Sequence, residues 1–364
     1  MIQSAVVMKL EMEIGKMLMV GIGGCELTAA ERTIFRNYRF GGYILFGRNC
    51  REPAQIQSLC CSLRETDNRH PPFIAMDQEG GRVHRLPPHF SHFPAAAVIG
   101  QTGNPDLAYK AGRAMAAELA LLGVNLDFAP VLDVHSNSKN PIIGDRSFGT
   151  TPKQVIEMTV AWSQGLRSGG IIPCGKHFPG HGDTDKDSHL DLPVVEKSVR
   201  QLQAVELPPF HHACSNRIEA LMTAHVLFRA LDRQFPATLS SKIVTELLRR
   251  ELGYQGVVFS DDMEMKAITG NFGTEEAALL GVRAGIDVLL YCHDLSQAIG
   301  VFDLLCREVK RDKELQARVI ESCGRISKLK RRYLKRNKGM PDAKLDTLNS
   351  LNHGKLIDEI HGSL

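Results

Sequence analysis

The chain of 364 residues is 43% hydrophobic and 23% charged with a net charge of +3, the make-up of a globular protein with a real core, which excludes a disordered chain. Residues 328–338, KLKRRYLKRNK, hold seven basic and no acidic side chains, so the remainder carries −4, and a mildly acidic body argues against a duplex nucleic-acid binder. There is no apolar run of the roughly 18 residues a membrane span needs, the first residues lack the apolar centre of a signal peptide, and the nine cysteines form no CxxC pair. A cytoplasmic protein with buried, reduced cysteines is expected, with neither nucleic acid nor membrane as partner and a monomer as the default state.

Eight short apolar runs follow one another along the chain: 17–22 (MLMVGI), 42–46 (GYILF), 72–76 (PFIAM), 124–129 (VNLDFA), 171–177 (IIPCGKH), 220–225 (ALMTAH), 256–261 (GVVFSD) and 286–291 (IDVLLY). Their length and apolar character predict buried strands. The segments between them carry helix punctuation. Asn104 can cap a helix that opens on Pro105 and leaves at Gly123. Thr151 and Pro152 repeat the entry ahead of Val155, Met158, Trp162 and Leu166 on one face, and Ser240 opens a third helix that stops before Gly253.

Strand and helix in alternation demand parallel strands joined by crossovers, and eight units predict an α/β fold of the (β/α)₈ or TIM barrel type, a single domain. A doubly wound dinucleotide fold would want GxGxxG after its first strand, but GIGGCE places Glu26 where the third glycine belongs. The barrel is expected over residues 1–310. Residues 311–364 are expected to form a helical, basic extension that packs on the barrel or is partly disordered, with the basic run as a solvated helical face.

Active sites of such barrels lie at the C-terminal ends of the strands. Arg48 and Asn49 follow the second run, Asp77 the third, and Asp127 and Asp133 the fourth; Lys176 and His177 close the fifth, His225 the sixth, Asp261 and Asp262 the seventh, and Asp294 follows the eighth. One such residue is a turn former; a ring of them suits a polyhydroxylated ligand, whose hydroxyls donate to carboxylates and accept from cations.

The stretch KHFPGHGDTDKDSH, 176–189, is the densest in titratable groups. As a calcium loop starting at Asp183 it would need glycine where Ser188 stands and glutamate where Val194 stands. Zinc has histidines to hand, but no HxH or HExxH pair sets two of them on one element. No metal and no cofactor are expected. Asp187 and His189, two apart, make an acid/base unit in which the carboxylate fixes the imidazole tautomer. Gly180 and Gly182 let the loop turn. The apolar run into FSDD supplies a carboxylate on the opposite side, the arrangement of retaining glycoside hydrolysis.

Seven ordered motifs carry a resemblance: LFGRN (45–49), MDQEGGRVHRL (76–86), LDFAPVLDV (126–134), GDRSFG (144–149), KHFPGHGDTDKDSH (176–189), MTAHV (222–226) and FSDDMEM (259–265). The chain resembles glycoside hydrolase family 3, in the branch of single-domain β-N-acetylglucosaminidases of bacterial cell-wall recycling. The resemblance implies a retaining exo-hydrolase that removes terminal β-linked N-acetylglucosamine from a small saccharide or muropeptide. It implies Asp261 as nucleophile, His189 as acid/base with Asp187 as its partner, and Asp77, Arg85, Arg146, Lys176 and His177 as sugar-binding residues; Asp262 would orient. The alternatives within the family are a β-N-acetylglucosaminide phosphorylase and a β-glucosidase.

Overall fold

The eight runs form eight strands that close on themselves. The computed structural model describes residues 13–67, 70–184, 191–334 and 353–364. The strands are β1 (Leu18–Gly21), β2 (Gly42–Leu45), β3 (Phe73–Met76), β4 (Leu126–Asp127), β5 (Ile172–Phe178), β6 (Ala220–Thr223), β7 (Val257–Asp262) and β8 (Val288–Tyr291). Each pairs in parallel with its neighbours in the chain, and β8 returns to β1, with Leu18 opposite Leu289 and Met19 opposite Gly42. The fold is the expected (β/α)₈ barrel. Parallel strands covered on both faces have no solvent side, so their residues are apolar without alternation, and β2, β3, β6 and β8 are buried throughout. Phe73, Phe128 and Phe259 meet edge to face inside the barrel, at 5.9 and 5.5 Å between ring centres.

The helix boundaries follow the punctuation. Pro105–Leu122 begins where the Asn104 side chain accepts from the Asp106 amide, and ends on Gly123 at φ +90°, a left-handed exit that a Cβ would oppose. Thr151 caps Pro152–Ser168 by accepting from Gln154. The third helix departs from expectation in its winding: Lys242–Glu251 carries π-type hydrogen bonds, and Ser240 stands just ahead of it, bonding the Ile243 amide at 3.3 Å and Asp232 at 2.7 Å.

Helix Lys313–Tyr333 lies across the N-terminal end of the barrel. Three groups from the barrel floor reach it. Asp287, just ahead of β8, accepts from Arg318 at 2.7 Å, Ser322 at 2.7 Å and Arg325 at 3.2 Å on one oxygen, and from Arg249 at 2.6 Å on the other. Glu219, just ahead of β6, accepts from Arg167 and from the Tyr333 hydroxyl at 2.8 and 2.6 Å. Lys330 donates to the Gly41 carbonyl at 2.7 Å and lies over the Phe73 ring. The basic run is thus not wholly a solvated face. Lys330 is one of its members and is buried, because a helix laid across an open barrel end must turn one side inward; residues 335–338 of the run lie outside the described residues.

Candidate active site

At the other end of the barrel a cavity of about 350 Å³ opens among the strand ends. Asp77, Arg85, Arg146, Lys176, His177 and Asp261, six of the eight residues singled out from sequence, line it together. They come from β5, β7 and the loops after β3 and β4, so the barrel closure alone brings them to one place. His189 and Asp187 lie outside the described residues.

Lys176 is buried at the end of β5 and donates to Asp77 at 2.6 Å. Its ammonium is equally close to Glu79, at 2.6 Å, and Glu79 takes both prongs of the Arg146 guanidinium at 2.8 Å each. Burial would raise the Glu79 carboxyl, but the Arg146 and Lys176 charges outweigh it and hold the group well below the usual carboxylate range. Burial would likewise lower the Lys176 ammonium, and Asp77 and Glu79 hold it above its ordinary value. Glu79, Arg146 and Lys176 are therefore charged at neutral pH. Arg85 lines the cavity 4.0 Å from Asp77, and its Nε is buried with no hydrogen-bond partner among the described residues.

His177 follows Lys176 across a cis peptide bond, and both side chains line the cavity. The ring is held from behind: its Nδ1 lies 2.7 Å from Asp133, which also accepts from the His177 amide at 3.1 Å and the His181 amide at 2.7 Å. Burial would raise Asp133, but His177 and His181 keep it below the ordinary carboxylate value. A carboxylate that accepts from Nδ1 leaves Nε2 for a ligand. His181, buried beside it, is pushed by burial and by His177 down to about 4, so it is neutral at pH 7.

Beyond His181 the loop passes so close to the barrel rim that a Cβ on Gly182 would fall 1.7 Å from the Val134 carbonyl oxygen. Glycine is needed there for close approach. Asp183, one residue on, pairs with Lys197 at 2.9 Å.

Asp261 and Asp262 end β7 side by side and differ in charge. Asp261 accepts from the Asp262 amide at 2.8 Å. Burial pushes its carboxyl up, but the His225 and His177 imidazoles, that amide and Lys176 more than offset this, and the group stays below the usual carboxylate range. Burial pushes Asp262 up to about 7, and Glu264 and Asp261 add to it. An ionised carboxylate beside one that titrates near neutrality is the division of labour expected of a nucleophile and its neighbour.

Not every polar strand end reaches the cavity. Arg48 bonds the Ile22 and Cys292 carbonyls, Asn49 bonds those of Ile22 and Gly24, Asp294 caps helix Leu295–Glu308, and Asp127 accepts from the Gln78 amide. These side chains satisfy backbone groups that the strands leave behind when they end. Sequence reasoning missed Glu79, which unites Arg146 with Lys176. The signal was available, an acid two residues past Asp77 in the same MDQEGGRVHRL stretch.

The comparisons with known proteins agree with this geometry. Residues 9–329 match the glycosyl hydrolase family 3 N-terminal domain. A curated relative, the beta-hexosaminidase of Tolumonas auensis, is 40% identical over 289 residues, 79% of this chain and 85% of that one. The family 3 β-N-acetylglucosaminidase from Paenibacillus sp. superposes with a TM-score of 0.88 at 35% identity, covering 97% of this chain and 68% of that chain. NagZ from Neisseria gonorrhoeae, solved with N-trifluoroacetyl-D-glucosamine, gives a TM-score of 0.78 at 31% identity over 95% of this chain and 97% of that one. The chain belongs to glycosyl hydrolase family 3 and is a glycoside hydrolase.

Proposed function

We propose that this glycoside hydrolase is a retaining exo-β-N-acetylglucosaminidase that releases terminal β-linked N-acetylglucosamine from muropeptides in the cytoplasm. The observation that carries the reading is the ionised Asp261 carboxylate in one cavity with the Asp77–Lys176–Glu79–Arg146 network. Alternating acceptors and donors fixed on rigid strand ends suit the ring hydroxyls of one terminal sugar. The names of the relatives supply the N-acetylhexosamine, and the motif set supplies the cell-wall setting.

Asp261 attacks the anomeric carbon and forms a glycosyl ester, while His189 gives a proton to the departing oxygen; water then enters with His189 as base and frees the sugar with its configuration retained. Asp187 partners the imidazole. Lys176 sits close enough to stabilise the Asp261 charge in the free enzyme. No step needs a metal, so EDTA leaves the rate unchanged.

Chromogenic β-N-acetylglucosaminide should be cleaved far faster than β-glucoside; a preference for the glucoside overturns the substrate. Products formed with and without phosphate separate hydrolysis from phosphorolysis, since sugar 1-phosphate would mean the second. His189→Ala should slow substrates with poor leaving groups most, and equal slowing of all leaving groups removes it from the acid role.

A further inference from the structure

The MTAHV stretch ends β6, and its histidine has been met only as a charge near Asp261. His225 is 1% exposed and stands behind the cavity wall. Its Nε2 is 2.9 Å from the carbonyl oxygen of Asp262, an atom that only accepts, so Nε2 carries hydrogen. Its Nδ1 is 2.8 Å from the Thr238 hydroxyl oxygen. That hydroxyl is also 2.8 Å from the Thr223 hydroxyl and 3.1 Å from the Ala224 carbonyl, so the ring is held on both nitrogens by groups that are themselves fixed.

The residue that His225 grips is the one that aims Asp261. The Asp262 amide donates to Asp261 at 2.8 Å, and the Asp262 side chain is itself pinned by the amides of Glu264 at 3.1 Å and Cys292 at 3.3 Å. We infer that His225 is a positioning residue for the nucleophile: by bonding the Asp262 carbonyl it fixes the amide that orients the Asp261 carboxylate, and a protonated ring there favours that carboxylate. The inference rests on the assignment of Asp261 as nucleophile.

The electrostatics agree. After burial, which raises the Asp261 carboxyl, His225 is the largest influence on it, followed by His177. Among the described residues, the charged and titratable groups on this side include Asp261, Asp262 and Glu264 on and after β7, Lys176, His177 and His181 on and after β5, and Cys292 and His293 after β8. Without His225 the carboxylate loses its aim and titrates at a higher pH.

His225→Ala, His225→Gln and Asp261→Asn, assayed with chromogenic β-N-acetylglucosaminide across pH beside thermal unfolding, test it. His225→Ala should lower kcat by about 10²-fold with little change in KM, and move the acid limb of kcat/KM to higher pH. His225→Gln, whose amide can still donate to the Asp262 carbonyl but carries no charge, should recover most of kcat and leave the acid limb displaced. If both variants melt early and lose activity with the acid limb unmoved, His225 serves packing alone and the inference is overturned. The same holds if His225→Ala keeps its rate and pH profile. An active Asp261→Asn would overturn the nucleophile assignment and this inference with it, whereas an inactive one beside a normal His225→Ala overturns only the inference.

Discussion

The two ends of the barrel are both dense in buried charge, and they use it differently. At the C-terminal end Asp77, Glu79, Lys176 and Arg146 pair across a cavity that stays open, with the Arg85 Nε lacking a partner among the described residues. At the N-terminal end Asp287 is enclosed by Arg249, Arg318 and Arg325, and a helix closes over them. Both ends leave guanidinium nitrogens without a partner among the described residues, Arg85 Nε at the mouth and Arg249 and Arg318 Nε at the floor, but it is the mouth whose charges line an open cavity. Charge held for binding must stay reachable, and charge held for structure need not.

The contrast can be broken in four ways. Asp261→Asn at the mouth should cut kcat by at least about 10³-fold and leave the thermal midpoint where it was; a large drop in the midpoint would mean that the mouth is structural too. Asp287→Asn at the floor should do the reverse, lowering stability in urea by about 3–5 kcal/mol because buried arginines lose their counter-charge, while kcat per folded molecule holds. Glu79→Gln lies between them. It removes two charge-assisted contacts from residues that line the cavity, and kcat/KM should fall about 10- to 100-fold with KM bearing most of the loss.

The smallest effect belongs to Lys330. Burial, with Lys16 nearby, pushes its ammonium down to about 7. Unfolded lysine holds its proton to roughly pH 10.4, so between the two values the unfolded chain binds more protons, and stability rises with pH. Lys330→Met should remove that rise. Urea unfolding of both proteins at pH 7 and pH 9 checks it, and parallel curves would show that Lys330 keeps its charge in place throughout.

Much of the molecule was legible because its information is local or periodic. Apolar runs with helix punctuation between them gave the eight strands and their parallel order, since a strand buried on both faces has no polar alternation to hide it. Asp77, Lys176, His177 and Asp261 were readable for a related reason, the rule that strand ends meet at one rim, which needs only the order of elements, whereas Arg85 and Arg146 came from the family resemblance of their motifs. Arg48, Asn49 and Asp294 satisfied the same rule and turned out to bond backbone. A strand end has amides and carbonyls of its own to satisfy, and sequence does not say which side chains will do so.

What the sequence determined by itself is the barrel and the set of groups at its mouth, because a period of apolar residues and a position at a strand end are properties of the chain's order. What only the tertiary structure decided is which of those groups touch. Glu79 joins Arg146 to Lys176 across 67 and 97 residues of chain, Asp133 holds His177, and Lys330 lies under Phe73 in a run that reads as solvated. Such pairings depend on distances of a few ångströms between segments remote in sequence, and charge interactions in a low-dielectric interior are set by those distances.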